Sequence, residues 1–267
     1  MSYLLGIDIG TSGTKTVLFE PDGKVVASHT REYPLSQPQN GWAEQDPLDW
    51  WEAVREGCAC VLSRSGIRAD DIAGVGLSGQ MHGLVMLDRE NQILAPAILW
   101  CDQRTGEECR DMERLVGLDR LIAVTANPPL TGFTASKILW MRKHHPDVYE
   151  RCAHILLPKD YIRIAKIMLP KDFLAYRLSG AFCTDFSDAS GMQLLDVPGR
   201  CWSQEVLSKL SIAPALLGRV YESPEVTGVI HREAAEATGL KAGTPVVGGA
   251  GDNAAAAVGT GTVRDGL

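Results

Sequence analysis

The sequence has no long hydrophobic run, no cluster of basic residues and no cysteine spacing of a recognised kind. Its apolar stretches are all shorter than a bilayer-spanning helix requires, and its N-terminus lacks the basic segment and apolar core of a signal peptide. The 33 Asp and Glu residues outnumber the 26 Lys and Arg residues, which gives a net charge of −7. We therefore expect neither a membrane nor a nucleic acid as a partner.

The seven cysteines are odd in number and scattered along the chain. Cys58 and Cys60 are too close for a CxxC motif, and no histidine cluster accompanies them. Reduced structural thiols are therefore the expectation, and they indicate a cytoplasmic protein. The 267 residues are sufficient for one large domain or two small domains.

A glycine-rich turn between two apolar segments lies near the start of the chain. Residues 3–7 and 16–19 predict two strands, and the turn between them runs from Asp8 to Lys15. Glycine lets backbone N–H groups approach an anion closely, and a carboxylate such as that of Asp8 can hold Mg²⁺ through water. Further donors are the hydroxyl groups of Thr11, Ser12 and Thr14. Because Asp and Gly are also frequent in ordinary turns, these residues fit both a phosphate-binding loop and a plain hairpin.

Strands and helices alternate along the rest of the chain. A helix begins at Pro47, behind Asp46 as its N-cap. Its apolar face is predicted to consist of Leu48, Trp51, Val54, Cys58 and Val61. Further strands are predicted at residues 25–29, 71–78, 84–87, 93–94 and 244–249, and further helices at residues 105–115, at residues 134–143 with Thr134 as N-cap, and after residue 252. This mixture predicts an α/β fold with a partly antiparallel sheet.

A 12-residue segment occurs twice, at residues 153–164 and 165–176, and each copy contains Leu-Pro-Lys-Asp. The period is much shorter than that of solenoid repeats, so a local tandem duplication is the simplest interpretation. Only one copy can occupy a given position in a packed core. We expect the second copy to occupy it, because that copy continues directly into residues 177–180, and we expect the first copy to be a surface extension.

Two polar loops follow predicted strands. In the loop from Gly79 to Gly83, Gln80 and His82 offer donors and acceptors that suit a polyol, although a solvated histidine in a hairpin loop explains the pattern equally well. In the second loop, Asp102 and Arg104 fit either contacts with sugar hydroxyls or an ion pair with each other. The residues alone leave both pairs of alternatives open.

The segment from Gly248 to Asn253 places Asp252 between a glycine-rich strand end and a helix start. Asp is a good N-cap residue. A carboxylate at a helix N-terminus also stays ionised, as a general base requires, and small neighbours leave room for a substrate. Capping and proton abstraction are compatible, so both roles are open for Asp252.

Together these stretches resemble the FGGY carbohydrate kinase family, over essentially the whole chain and in the family's order. The most specific match is the segment 132–144, with its Lys137 and Trp140. Within the family, residues 42–47, the Gly79–Gly83 loop, Leu-Pro-Lys-Asp-Tyr and Gly251-Asp252-Asn253 are most similar to xylulokinases. The resemblance implies an α/β fold of the actin-like ATPase (ribonuclease H-like) type, with a mixed sheet flanked by helices.

The resemblance also implies an activity, which is ATP-dependent phosphorylation of D-xylulose to D-xylulose 5-phosphate with Mg²⁺. Asp252 would be the general base, and Asp8 would lie beside Mg²⁺ and the ATP phosphates. The phosphate hairpin would be lined by Gly10, Thr11, Ser12, Gly13, Thr14 and Lys15. The sugar would contact Gln80, Met81, His82, Trp100, Asp102, Arg104, Asp252 and Asn253. Sugar and ATP are thus the expected partners, and a homodimer is also expected.

Two features depart from the family pattern. The family implies one Leu-Pro-Lys-Asp segment where this chain has two. In addition, the family continues with a second domain that supplies most adenosine contacts, whereas this chain ends at Leu267. We therefore expect residues 1–267 to form the N-terminal domain, with residues 245–267 leading toward the second domain. Alone, the chain is expected to have negligible kinase activity and to bind sugar weakly.

Three alternatives remain. One is a kinase of the same family for another substrate, such as ribulose, gluconate or glycerol. A second is an actin-like or chaperone-type ATPase, which shares the first hairpin but is disfavoured by the Gly79–Gly83 loop and by Lys137 and Trp140. The third is a noncatalytic sugar-binding or assembly fragment.

Overall fold

The computed structural model describes residues 2–153 and 166–262. The strands are β1 (Tyr3–Ile9), β2 (Gly13–Phe19), β3 (Val25–Glu32), β4 (Glu44–Gln45), β5 (Ile72–Gly79), β6 (Val85–Leu87), β7 (Ala97–Ile98), β8 (Lys166–Met168), β9 (Cys183–Asp185), β10 (Leu195–Asp196), β11 (Cys201–Trp202), β12 (Arg219–Tyr221), β13 (Val226–Val229), β14 (Pro245–Val247) and β15 (Ala250–Gly251). The helices are α1 (Pro47–Ser65), α2 (Gly106–Val116), α3 (Leu118–Thr125), α4 (Thr134–His144), α5 (Pro146–Ala153), α6 (Pro170–Ser179), α7 (Phe186–Ser190), α8 (Gln204–Leu210), α9 (Arg232–Thr238) and α10 (Asp252–Gly259).

The central sheet is mixed, with the strand order β13-β14-β5-β1-β2-β3. β1, β2 and β3 form an antiparallel meander, as the two predicted hairpins require. On the other side of β1, β5 runs parallel to it, and β14 and β15 run parallel to β5. The α/β class with a mixed sheet flanked by helices is therefore confirmed.

Helix α1 covers the antiparallel part of the sheet and contacts β2 and β3. The Asp46 side chain caps it by accepting a hydrogen bond from the Leu48 N–H, as predicted. One predicted core residue was wrong, because Leu48 is 46% exposed while Trp50 is fully buried. Leu48 lies about 120° around the helix from Val54, at the centre of the buried face, so its side chain points away from the sheet.

Two hydrophobic clusters stabilise the fold. The first joins the central sheet to α1, α6 and α9. The second is built on α2, α3, α4 and α8, with core residues such as Met112, Leu121, Ile138 and Leu207. Strands β6 and β7 contribute residues to both clusters and so connect them.

The second copy of the duplicated segment is built into this core. Its β8 pairs antiparallel with β6, and in α6 the side chains of Phe173 and Leu174 are buried. Nearly all of the first copy lies outside the described residues. The choice between the two copies therefore stays a prediction.

The seven cysteines are all free thiols. Across residues 2–153 and 166–262, each helix is too short or too polar to cross a membrane.

Helix α4 buries a lysine completely. Lys137 has 0% exposure, and its ammonium group donates to the carbonyl oxygens of Gly132 at 2.6 Å and His82 at 2.8 Å. Burial lowers the pKa of Lys137 to about 7, although the negative charge of Asp102 opposes the shift. Thr134, predicted as the N-cap, is instead the first helical residue, behind Phe133, and its hydroxyl also donates to the His82 carbonyl.

The buried Lys137 makes stability depend on pH. Its pKa of about 7 in the folded chain lies below the usual 10.5, so the unfolded chain binds more protons between these values. The free energy of unfolding should therefore rise with pH in this window, by at most about 1.4 kcal/mol per pH unit. Lys137→Met should remove that rise, as measured by urea unfolding between about pH 7 and 9.

The matched control is Lys143→Met, which removes an exposed lysine from the same helix. This control should keep the wild-type slope. Equal slopes for wild type and Lys137→Met would contradict the prediction.

Candidate functional site

Three segments of the chain meet at one edge of the central sheet. The parallel strands β1, β5 and β15 end there in register, since Ile9 pairs with Gly79 and Gly251 pairs with Gly79. Asp8 therefore lies at the end of β1, the loop with Met81 and His82 follows β5, and Asp252 follows β15. Carboxyl ends of parallel strands are where α/β folds commonly bind ligands, so we take this edge as the candidate site.

Two carboxylates, those of Asp8 and Asp252, lie close enough at this edge to interact electrostatically. Partial loss of hydration raises the pKa of Asp8, and the negative charge of Asp252 raises it further. A hydrogen bond from Ser78 and the charge of Lys15 oppose the rise. Two such carboxylates provide the hard oxygen ligands that Mg²⁺ prefers, so the residues fit the predicted cation.

The turn between β1 and β2 is held tightly from behind. The Gly10 N–H donates to the Gly13 oxygen at 3.0 Å, and the Tyr33 hydroxyl donates to the Gly10 oxygen at 2.6 Å. A Cβ at Gly13 would lie 2.7 Å from the Arg31 oxygen, so only glycine allows β3 to approach this closely. The turn therefore has a fixed shape, and its binding of phosphate stays a prediction.

The predicted phosphate contacts divide between two sides of this turn. Ser12 and Lys15 are exposed, and Thr11 is half-buried. Thr14 is buried, and its hydroxyl pairs with that of Tyr33 at 3.2 Å. The Thr14 side chain thus supports the hairpin from inside and is not available to phosphate. Phosphate contacts by the other residues of the turn stay a prediction.

Gln80 joins the phosphate hairpin to the following loop. It is 2% exposed, and its backbone N–H donates to the Ile9 oxygen at 2.7 Å. Its side-chain amide donates to the Gln45 Oε1 at 3.2 Å, and Gln45 in turn donates to the Thr11 oxygen at 2.7 Å. These contacts give Gln80 a bracing role. A direct contact with sugar stays a prediction.

His82 occupies a strained position with a defined hydrogen-bond pattern. Its φ is +66°, and its Nδ1 lies 3.0 Å from the Gly191 oxygen. Burial lowers the pKa of His82, which favours the neutral ring. Because a carbonyl only accepts, Nδ1 carries the proton and Nε2 is the acceptor nitrogen. A neutral imidazole with Nε2 as acceptor suits a sugar hydroxyl.

Met81 packs against the strand that precedes Asp252. A Cβ at Gly251 would lie 2.7 Å from Met81 Cγ and 2.8 Å from its sulfur. Only glycine at position 251 therefore allows the two segments to touch.

Trp100, 48% exposed, donates from its indole N–H to the Thr11 hydroxyl at 2.9 Å and so lies beside the hairpin.

Asp102 and Arg104 form the ion pair that the sequence left open. Arg104 Nη2 lies 2.7 Å from Asp102 Oδ2, and Asp102 also accepts from the Ala43 N–H at 2.7 Å. The guanidinium stacks on Trp42 at 3.6 Å and contacts Glu44 at 2.7 Å. Both charged groups are thus paired with other groups of the protein. Their contact with sugar stays a prediction without support from this geometry.

Asp252 and Asn253 begin helix α10, and both are exposed. Gly251, rather than Asp252, is the N-cap residue. The Asp252 carboxylate accepts a hydrogen bond from the Asn253 N–H at 2.8 Å.

Two residues that the sequence analysis does not identify contact the segment before Asp252. Ser187 accepts a hydrogen bond from the Gly251 N–H at 3.1 Å, and Lys171 donates to the Gly248 oxygen at 3.1 Å. Lys171 belongs to the repeated Leu-Pro-Lys-Asp motif. The repeat draws attention to this lysine, but it does not indicate the contact with Gly248. Ser187 lies 64 residues from its partner, beyond the reach of any local pattern.

Another cluster of metal-ligand types lies away from this edge of the sheet. Among the described residues, His29, Glu56 and Cys60 bring one ligand atom each within 4.8 Å of one another. His29 and Arg31 both lie 3.0 Å from the Glu56 carboxylate. We assign this group to an ion-pair network between β3 and α1.

Known proteins resemble the chain over nearly its whole length. Residues 3–259 match the FGGY family of carbohydrate kinases, N-terminal domain. The chain is 40% identical to the xylulose kinase of Bacillus subtilis over 266 residues, which is 100% of this chain and 51% of that protein. It is also 40% identical to the xylulose kinase of Escherichia coli, covering 97% of this chain and 50% of that protein.

Solved structures agree with the sequence relatives. A xylulose kinase from Rhodospirillum rubrum has a TM-score of 0.90 at 29% identity, covering 99% of this chain and 52% of that one. A structure from Brucella ovis, described as a xyloylose kinase, has a TM-score of 0.87 at 37% identity, covering 99% of this chain and 51% of that one. The chain spans about half the length of these relatives. The predicted actin-like fold and family are thus confirmed, and the chain belongs to the FGGY family of carbohydrate kinases, whose N-terminal domain it matches.

Proposed function

We propose that the protein containing this chain transfers a phosphoryl group from ATP to the terminal hydroxyl of D-xylulose, giving D-xylulose 5-phosphate. The observation that carries the proposal is that Asp8, His82 and Asp252 lie at one edge of the sheet. Asp8 is near the end of β1, and the other two residues follow β5 and β15, which are paired in register with it. The xylulose kinases among its relatives support the choice of sugar.

Asp252 acts as the general base in this proposal. Its carboxylate is exposed and lies in the first turn of α10. It takes the proton from the sugar hydroxyl as that oxygen attacks the phosphoryl group. Phosphoryl transfer relies chiefly on positioning and charge neutralisation, which this arrangement supplies in part.

Asp8 and the phosphate hairpin form the anionic end of the site. Asp8 would hold Mg²⁺, which when bound neutralises phosphate charge. Thr11, Ser12 and Gly13 would present backbone N–H groups to the phosphates, with Lys15 nearby. At the other end, Met81 and the Nε2 of His82 orient the sugar.

The chain supplies only part of the nucleotide site in this proposal. We assign residues 1–267 as the N-terminal domain, with residues 245–267 leading toward a second domain that contributes most adenosine contacts. On this basis the chain alone has negligible turnover and measurable sugar affinity. A cytoplasmic location and a homodimer remain predictions of the same assignment.

Calorimetry on the 267-residue chain tests the substrate. D-xylulose should bind with a 1:1 stoichiometry, whereas ribulose, gluconate and glycerol should bind at least about tenfold more weakly, because a site loses affinity when its polar groups lack partners. Tighter binding of another polyol would reassign the substrate within the family. The absence of binding by all four would refute the proposed sugar site.

Substitution of Asp252 tests its role as base. When the chain is assayed together with a nucleotide-binding half, Asp252→Asn should lower turnover about 10²–10⁴-fold, because the amide cannot accept the proton. The control Asp119→Asn changes an exposed aspartate in the first turn of α3. Turnover that is unchanged in Asp252→Asn would exclude the base role.

His82 should make sugar binding depend on pH. Because burial lowers its pKa below the usual 6.5, the ring is neutral above that pH and gains a proton only below it. Protonation removes the Nε2 acceptor, so D-xylulose affinity should be constant from about pH 8 to 6.5 and should fall at lower pH. His82→Gln should lose part of this acid-side decrease.

His144→Gln serves as the control, since it removes a histidine that is 43% exposed in its side chain on α4. It should keep the full decrease. Identical pH profiles for wild type and His82→Gln would contradict the assigned role of the imidazole.

A further inference from the structure

We propose that Lys171, Asp185 and Ser187 are positioning residues, which hold the backbone from Gly248 to Gly251 and thereby direct the Asp252 carboxylate at the sugar. The inference rests on the proposed function, because it assigns these residues a purpose through Asp252. None of the three is placed in contact with substrate.

The segment before Asp252 is held at two points. At its start, the Gly248 oxygen accepts from Lys171 Nζ at 3.1 Å. At its end, the Gly251 N–H donates to the Ser187 hydroxyl at 3.1 Å, and that hydroxyl donates to Asp185 Oδ2 at 2.5 Å. The hydroxyl therefore has a fixed direction, because its proton is committed to the carboxylate and its lone pair faces Gly251.

One buried ion pair connects the two points. Lys171 Nζ lies 3.1 Å from Asp185 Oδ1, and both side chains have 0% exposure. Lys171 also donates to Asp172 at 2.6 Å. Burial alone would lower the pKa of Lys171, but the surrounding carboxylates outweigh it and raise the pKa, so the ammonium group stays charged. A charged donor makes a stronger hydrogen bond to Gly248 than a neutral one.

The third carboxyl group in this cluster lies farther from the lysine. Asp188 is fully buried, and its Oδ2 lies 3.9 Å from Lys171 Nζ. Burial raises the pKa of Asp188 well above its usual value, and the neighbouring carboxylates add to the rise. Lys171 is therefore engaged mainly by Asp172 and Asp185, at the shorter distances.

The segment is also packed closely against β5. Gly249 has a φ of +72°, and a Cβ there would lie 2.1 Å from the Leu77 oxygen of β5. The segment is thus in close contact with both β5 and Lys171, which limits its movement. Because Asp252 begins α10 directly after Gly251, the direction of its carboxylate depends on this confinement.

The test compares two serine substitutions in the same helix of the 267-residue chain. Ser187→Ala removes the hydroxyl that contacts Gly251, whereas Ser190→Ala removes a hydroxyl that donates to the Ser187 oxygen at 2.7 Å. Ser187→Ala should weaken D-xylulose binding about tenfold. The Asp252 carboxylate would no longer be directed at the sugar, and the loss of one hydrogen bond to a charged group has an effect of about this size. Ser190→Ala should bind as wild type, and Ser187→Thr, which keeps the hydroxyl, should restore most of the affinity.

A double-mutant cycle with Asp252→Ala separates positioning from a general structural effect. If Ser187 acts through the Asp252 carboxylate, adding Ser187→Ala to Asp252→Ala should cause no further loss of sugar affinity. A merely structural role would weaken binding by the same factor in both backgrounds. Equal losses in the two backgrounds would overturn the proposal.

Amide hydrogen exchange at Gly251 provides a readout without sugar. Ser187→Ala should accelerate exchange at Gly251 at least about tenfold over Ser190→Ala, because its hydrogen-bond acceptor is lost. Unchanged exchange would overturn the positioning role. If wild type binds no D-xylulose, the proposed function fails, and this exchange measurement still decides whether Ser187 holds the segment.

Discussion

The register of three parallel strand ends is the constraint on which the site depends. Backbone hydrogen bonds between β1, β5 and β15 bring Ile9, Gly79 and Gly251 side by side. A one-residue slip of β15 would turn the residues before Asp252 to the opposite face of the sheet. The glycines at this edge are therefore structural requirements, since a Cβ at Gly251 would collide with Met81 and a Cβ at Gly249 would collide with the Leu77 oxygen.

Two buried lysines hold backbone segments next to the site and differ in their electrostatics. Lys137 donates to backbone carbonyls, including that of His82, and burial lowers its pKa to about 7. Lys171 is surrounded by carboxylates, and its pKa is raised. Both hold backbone at the base of a loop that contributes to the site. The contrast arises because the partners of Lys171 are charged and those of Lys137 are dipoles.

The elements were largely predictable because their signals are local. The hairpin of β1 and β2, the capping of α1 by Asp46 and the meeting of motifs after strands all follow from turn residues, periodicity and alternation. The roles of Asp102 and Arg104 were not predictable from the sequence, because a sugar contact and an ion pair require the same residue types. The inward direction of Thr14 and the contact between Ser187 and Gly251 depend on tertiary packing across distant parts of the chain, which no local pattern encodes.

The central claim is that the edge formed by β1, β5 and β15 binds a sugar between His82 and Asp252. The most direct measurement is the ¹⁵N NMR spectrum of the histidine side chains during titration with D-xylulose. The account predicts that the His82 Nε2 resonance shifts on saturation, as expected for a ring nitrogen that accepts a new hydrogen bond, while the exposed His144 is unaffected. A His82 resonance that does not move at a sugar concentration where calorimetry shows binding would contradict the account.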